Sequence, residues 1–471
     1  MTSIHETAYP RFKPDLTQRE LDEIYTPNET EQRFARRLGR SNASRLYLMI
    51  LLKTVQRLGY FPMVADVPPS IVSFVTKALG LKLVPLCALV EEEKSRSRRD
   101  FIDAIRAHLK IHPITKDTDK AIELAATQAA QTKQELADII NVIIEELIRQ
   151  RYELPAFSRL NRTAFRIRNQ VNELYYHTLT DPLPAAVTSQ FDAMLTLSAG
   201  QLVTGWQQIK QDPKKPTNTE VRQYLERVKW LKSWACELPQ VDHIPVVKRG
   251  QYVYEARALD AADLKAMQQN KRYALMVLLF HAQLSKALDD AVDIFVRKMR
   301  KLHSGALEQL QLYYQEHQKR AEKLVSQLRD VLEAFQEGET DQERGKRIAN
   351  AMHDNPENLL AECEEHMAYA GNNYLPFMLV PYQTQRPLLL NCLGLLDLES
   401  TSADLSLIES IRFVLANRQS HKEWLSIVDT NINLKWLPEK WRRLVTGKRS
   451  GPVSEVNRKY FELCVLTLSL I

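Results

Sequence analysis

At 471 residues the chain has length for about three domains, taking one per ~150 residues, and its 64 Lys and Arg against 58 Asp and Glu leave a formal charge of only +6. Cys87, Cys236, Cys363, Cys392 and Cys464 are scattered without paired spacing, which excludes a disulfide framework and suits reduced thiols in a cytoplasm. The longest apolar runs, Leu46 to Leu52 and Ala274 to Phe280, fall far short of the ~20 residues that span a bilayer, and the N-terminus, with Glu6 and Pro10 early, lacks a signal-peptide core.

Gly is scarce, strand alternation is hard to find and helical periodicity fills nearly every long window, so the expected class is all-α, a multidomain helical protein. Asp15 to Tyr25 reads as a first helix capped by Asp15 or Thr17, broken at Thr26 to Asn28. The stretch Arg33 to Arg57 follows, with Arg33, Arg36, Arg37, Arg40, Arg45, Lys53 and Arg57 and no acid between them. Leu46, Met49, Ile50, Leu52 and Val55 recur at helical spacing. A helix that buries this stripe and carries cations at its start and along its free face would offer phosphates both point charges and forked donors, so nucleic acid is the natural partner.

Gly59 is the expected stop of that helix. Phe61-Pro62 and Val67-Pro68-Pro69 then form a rigid connector, and Pro69 suits the first turn of a helix that Gly80 ends, giving a helix-turn-helix-like unit. A second basic patch holds Lys94, Arg96, Arg98, Arg99, Arg106 and Lys110 against Asp100 and Asp103, on a helix ended by His112-Pro113. Asp119 to Arg151 reads as one longer amphipathic helix. After Leu154-Pro155 a third basic helix carries Arg159, Arg162, Arg166 and Arg168 and runs to about Tyr176. Each patch alone is equally well a solvated face; three of them in the first third of the chain strengthen the nucleic-acid reading.

Thr178 to Pro184 and Asp212 to Pro216 read as linkers around a small module. From Lys271 to Phe335 no proline interrupts the helical pattern, so this is one long rod or, with a break at Ser304 or Gly305, an antiparallel hairpin: a spacer or oligomerisation element. Gln336 to Arg344 is polar enough for a mobile loop, and short helices separated by Pro376, Pro381, Pro387 and Pro438 follow. The expected regions are 1–178 for DNA binding, 179–345 for linkage and dimerisation, and 346–471 as a helical scaffold.

No constellation supplies convincing chemistry. Asp289, Asp290 and Asp293 are the densest carboxylates, but Arg297, Lys298 and Arg300 beside them offer ion-pair partners. His108 and His112 have i, i+4 spacing, yet Pro113 ends the helix, and Cys363 with His366 lacks a second half. There is no Gly-rich phosphate loop, nucleophile elbow or kinase signature. Trp206, Trp230, Trp234, Trp424, Trp436 and Trp441 read as core anchors.

Read together, several runs resemble the transposases of class II, Tn3-type replicative transposons. In the N-terminal part these are Leu46 to Gly59, Tyr60-Phe61-Pro62, Val67-Pro68 leading to Ile71 to Leu81, and Ile105 to Leu109. Further on come Glu255 to Asp260, Lys271 to Leu275, Asp289-Asp290 and Arg297 to His303. The most specific are Cys363-Glu364-Glu365-His366, Tyr369 to Pro376 and Phe413 to Arg418, with Trp436-Leu437-Pro438, Trp441 to Val445 and Tyr460 to Leu466 completing the match.

The resemblance covers essentially the whole chain. It implies binding of double-stranded DNA at the transposon's terminal inverted repeats through N-terminal helical domains, and a homodimer. Such transposases cut and join strands with an RNase H-like domain whose three carboxylates bind metal, toward their C-terminus. This sequence stops at Ile471 before any such domain, so the expectation is a non-catalytic half in which no residue inherits a catalytic role. It needs neither a cofactor nor a small-molecule ligand, and Mg²⁺ would belong to the missing catalytic domain. Two alternatives stay open: a stand-alone DNA-binding regulator of transposition, and a helical protein-binding adaptor whose arginines are only solvated.

Overall fold

The computed structural model describes every residue except 1, 83, 198–199, 201, 213–216, 353–354, 402, 429, 448–451 and 470–471. The expected linker Asp212 to Pro216 thus lies mostly outside the described residues, as does Ile471. The chain is all-α, with 21 α-helices and two three-residue strands among the described residues. It divides into two units, residues 1–210 with 237–281, and residues 211–236 with 282–471; the expected boundaries at 178 and 345 fall inside them.

The first unit begins with two helical modules, each around its own core. The first comprises α1 (Gln18–Tyr25), α2 (Glu29–Leu38), α3 (Asn42–Leu58), α4 (Pro69–Ala78), α5 (Leu86–Lys94) and α6 (Ser97–Leu109). Local chemistry sets the ends. Thr17, Asn28 and Ser41 form capping boxes on α1, α2 and α3. Pro69 opens α4 as its first residue, while Gly59 and Gly80 take left-handed backbone just past α3 and α4.

The basic stretch Arg33 to Arg57 is therefore two helices rather than one. Gly39 stops α2, and Ser41, two residues on, caps α3. The turn is tight because Gly39 lacks a side chain: a Cβ there would lie 2.6 Å from Arg45 Cγ and 2.8 Å from Arg45 N.

The second module is built from α7 (Lys116–Ala130), α8 (Leu136–Arg149) and α9 (Phe157–Thr180). The expected single helix from Asp119 to Arg151 is a hairpin, since Gln131 to Glu135 offers no apolar residue to bury and the stripe resumes at Leu136 on the returning helix. The third basic helix runs on to Thr180, through the start of the expected linker. α10 (Ala185–Met194) and α11 (Gly205–Lys210) follow; α12 (Asn218–Ala235) belongs to the second unit, and α13 (Val246–Ala258) and α14 (Ala261–Ala266) complete the first.

The long helix is one rod. α15 (Gln269–Glu337) has 69 residues, about 100 Å at 1.5 Å per residue, and passes through Gly305 unbroken. Phe295, Met299, Leu302, Ala306 and Leu310 are buried at helical spacing on both sides of that glycine, so packing outweighs its helix cost of about 1 kcal/mol. The hairpin alternative is thereby excluded. The expected mobile loop at Gln336 to Arg344 is a short turn, because Thr340 caps α16 (Asp341–Ala351).

α17 (Pro356–Tyr369), α18 (Leu375–Leu395), α19 (Ser406–Ala416), α20 (Glu439–Thr446) and α21 (Arg458–Leu468) complete the second unit. Pro381 and Pro387 lie inside α18 instead of separating helices. That helix is held from outside: Met378, Tyr382, Leu389, Leu390 and Cys392 are buried as it packs on α12 and α21, and Arg386 donates to both oxygens of the buried Glu462 at 2.7 Å. β1 (Trp424–Ser426) and β2 (Glu455–Asn457) pair antiparallel, with Leu425 opposite Val456. Three-residue strands carry too little alternation to be read from sequence.

Candidate nucleic-acid interface

α3 is the axis of the first module, and its burial redistributes the first basic cluster. Leu46 to Val55 are buried without interruption, so the helix is wrapped on all sides and has no free face along its middle. Lys53, expected on such a face, is instead buried, its ammonium 3.0 Å from Glu31 of α2. Arg45 turns back to donate its Nε to the Gly39 carbonyl at 3.0 Å, and Arg33 pairs with Glu29 one turn earlier at 3.1 Å. Arg36, Arg37, Arg40 and Arg57 remain exposed and have no acidic partner among the described residues.

The fold joins the first cluster to the second. Ser41 Oγ, next to Arg40, lies 3.4 Å from Glu92 Oε1 near the end of α5, and the Arg98 guanidinium at the start of α6 donates to Tyr47 Oη of α3 at 3.1 Å. The α2–α3 and α5–α6 turns thus meet at the N-terminal end of α3. Burial holds the Tyr47 phenol up at about 12, so it stays a neutral acceptor for Arg98. Glu93 also pairs with Arg98 and accepts from Val64 N at 3.0 Å, fixing this arginine in place.

Around these groups lies a cleft of about 570 Å³ lined by Lys94, Arg96, Arg98, Arg99 and Arg106, with Asp100 as the one acid among the described residues that line it. Arg96 and Arg99 are exposed without an acidic partner among the described residues. α6 starts here with no side-chain cap bond, adding the positive end of a helix dipole. Arg106 is structural in part: it pairs with Asp103 at 2.9 Å and Glu153 at 2.6 Å and lies over the Phe61 ring.

The third cluster belongs to the other core. On α9, Arg159 pairs with Asp119 and Arg166 with Glu123, both on α7, while Arg168 donates to the Gln134 carbonyl at 3.4 Å and covers Phe165. Arg162 alone of the four is exposed with no partner among the described residues. Sequence reasoning missed these partners because they come from a different helix. It also passed over Glu91 to Glu93, immediately before the second cluster, which did signal a partner for Arg98.

The other constellations have structural settings. Asp290 accepts from Tyr224 Oη at 2.8 Å, Asp293 pairs with Arg297 at 3.3 Å, and the His108 ring stacks on Phe34 at 4.5 Å. Among the described residues no three His, Cys, Asp or Glu side chains are placed to hold a metal ion, and no helix is long and apolar enough to cross a membrane. Trp206 is fully buried and donates to the Leu259 carbonyl at 3.0 Å.

Residues 1–167, which contain most of both modules, match a family described as a domain of unknown function, DUF4158. The chain is 23% identical to the transposase for transposon Tn501 of Pseudomonas aeruginosa, over 98% of its own length and 45% of that protein's. It is 24% identical to the transposase for transposon Tn3926 of Escherichia coli over 95% and 44%, and 22% identical to that of transposon gamma-delta of Escherichia coli K12 over 62% and 29%. The chain therefore resembles Tn3-type transposases along nearly its whole length and spans less than half of theirs.

Proposed function

We propose that this chain is the end-binding part of a Tn3-type transposition machinery, gripping double-stranded DNA at terminal inverted repeats and pairing with a second copy of itself. The observation that carries this reading is the meeting of the α2–α3 and α5–α6 turns. It brings the α2–α3 turn, with Arg40 beside Ser41, against the turn whose Arg96 and Arg99 line the cleft, and all three arginines, like Arg36 and Arg37 of α2, are exposed and free of acidic partners among the described residues. Forked guanidiniums so placed match phosphate oxygens and position a duplex without reading its bases. Similarity to transposases supports DNA as the polyanion. On this reading strand cutting and joining, with its Mg²⁺, belongs to residues outside this chain.

The test is binding to duplexes from the ends of the element that encodes the chain, and to random duplex, across a salt series. The expected result is a log–log salt slope of about −0.9 per neutralised phosphate, with tighter binding to the ends, and no nicking when Mg²⁺ is added. Salt-independent or absent DNA binding would favour the protein-binding adaptor. That alternative draws on one observation, the ion-paired state of Arg159 and Arg166. A stand-alone regulator would bind the ends equally well, and would lower transposition when supplied in excess over the intact enzyme.

A further inference from the structure

The two modules meet along a seam made by the segment after α8. His112 N donates to the Arg151 carbonyl at 2.8 Å, Glu153 N to the His112 carbonyl at 3.0 Å, and Leu154 N to the Gly59 carbonyl at 2.8 Å. The N-terminal segment crosses this seam. Ile4 and Tyr9 pack in the second core, whereas Phe12 and Leu16 pack in the first. Ala8 N donates to Asn141 Oδ1 of α8 at 2.7 Å, tying the segment to the second module.

Tyr9 sits at the crossing. Its ring, 7% exposed, stacks on Tyr60 just past α3, meets Phe157 at the start of α9 edge-on, both at 5.6 Å, and its hydroxyl donates to the Pro155 carbonyl at 3.0 Å. One side chain therefore touches the connector that leaves α3, whose Tyr60 packs with the second core, the start of α9 and the seam.

From this we infer that residues 2–16 form a strap pinned by Tyr9, which locks the joined basic turns of the first module and the exposed Arg162 of the second at one separation and so makes the chain discriminate the base-pair spacing between these two contacts on duplex DNA. The joined basic turns lie at the start of α3 and the seam at its end. They are one 17-residue helix apart, about 25 Å, so the strap fixes the offset of the joined turns from the second module. A rigid offset of this size tolerates one spacing; a hinged one tolerates several. Tyr9 is a positioning residue, and the inference rests on the DNA-binding reading above.

Two measurements test it. In the full chain with Cys87, Cys236 and Cys363 replaced by Ser, spin labels at Ala78→Cys on α4 and Leu124→Cys on α7 report the separation of the modules. The distance distribution should be narrow in the parent and in Tyr9→Phe, which keeps the ring contacts, and broad in Tyr9→Ala. Phe12→Ala, which loosens the strap's other end, should broaden it too, with circular dichroism confirming that each variant is folded.

Duplexes enriched by the parent chain from a randomised pool are then remade with one or two base pairs inserted between the two protected segments. The parent should lose about tenfold in affinity per insertion, the scale of one base pair's lost contacts, while Tyr9→Ala should bind native and inserted duplexes within about threefold of each other. Unchanged distance distributions in both Ala variants would overturn the strap, and a broad distribution with an unchanged spacing profile would overturn its role in DNA spacing. If the parent enriches no duplex, the DNA reading falls and the spacing claim with it, while the labels still decide whether the strap is rigid.

Discussion

The Lys53 ammonium lies 3.0 Å from Glu31 Oε2, and both side chains are buried in the first core, so a residue that belongs by sequence to a basic cluster is spent on an internal pair. Burial works to raise the Glu31 carboxyl. Hydrogen bonds from Gln56 Nε2 at 2.8 Å and Asn28 N at 2.9 Å, together with Lys53, outweigh it and leave the group below its ordinary range.

Lys53→Met should destabilise the chain by about 3–5 kcal/mol, because it strands a buried carboxylate. Adding Glu31→Gln, which keeps an amide at the capping-box position, should restore roughly half or more of that loss. Urea unfolding of the single and double variants checks this. Because the Glu31 carboxyl is depressed in the folded state, its contribution is present above the ordinary glutamate range and is lost as pH falls through the folded-state value. The parent should therefore lose more stability than the double variant across that acid window, the remainder being common to both because Glu20, Glu146 and Asp404 are depressed as well.

Replacing Arg36, Arg40, Arg96 and Arg99 by Ala should flatten the salt slope of DNA binding by roughly two to four units while leaving stability within about 0.5 kcal/mol. Arg159→Ala with Arg166→Ala should change the slope by roughly one unit or less, since their charges are already met by Asp119 and Glu123. Salt titrations of both variants, with melting curves, decide it. Equal slope changes would mean that the third cluster contacts DNA as fully as the joined turns.

Gly39→Ala should cost about 1–3 kcal/mol, because the added Cβ meets Arg45 Cγ at 2.6 Å and the Arg45 backbone at 2.8 and 2.9 Å. The same turn recurs at Gly338, where a Cβ would meet Arg344 Cγ at 2.6 Å and where Arg344 Nε returns to the Gly338 carbonyl at 2.9 Å. Gly338→Ala should destabilise the second unit in like manner. Arg45→Ala added to Gly39→Ala should relieve only part of the cost, since the backbone clash persists. Denaturant midpoints give the comparison.

Lys248 of α13 is fully buried, its ammonium donating to the Lys133 carbonyl at 3.2 Å and to Gln134 in the α7–α8 turn. Burial, aided by the nearby Arg168 charge, lowers its pKa from 10.5 to about 8. Between these values the unfolded chain holds a proton that the folded chain has lost, so stability attributable to this group rises with pH across the window. Relative to Lys248→Met, the parent should gain on the order of 3 kcal/mol from pH 8 to 10.5, read from urea midpoints. A pH-independent difference would mean that the lysine stays charged inside the fold.

The helices were legible because each signal acts locally. Apolar residues at helical spacing from Leu46 to Val55, Pro69 opening α4, and Gly59 and Gly80 ending α3 and α4 set backbone geometry within a turn or two, so the all-α class and the connector around Phe61-Pro62 followed from sequence. Only the tertiary structure decided which cations face solvent, because the neutralising acids arrive from other helices. Glu31 meets Lys53 from 22 residues away, Asp119 meets Arg159 from 40, and Glu153 meets Arg106 from 47. The same holds where packing overrules a local signal: α18 runs through Pro381 and Pro387 and α15 through Gly305, because the side chains buried on either side hold a backbone that local propensity alone would break.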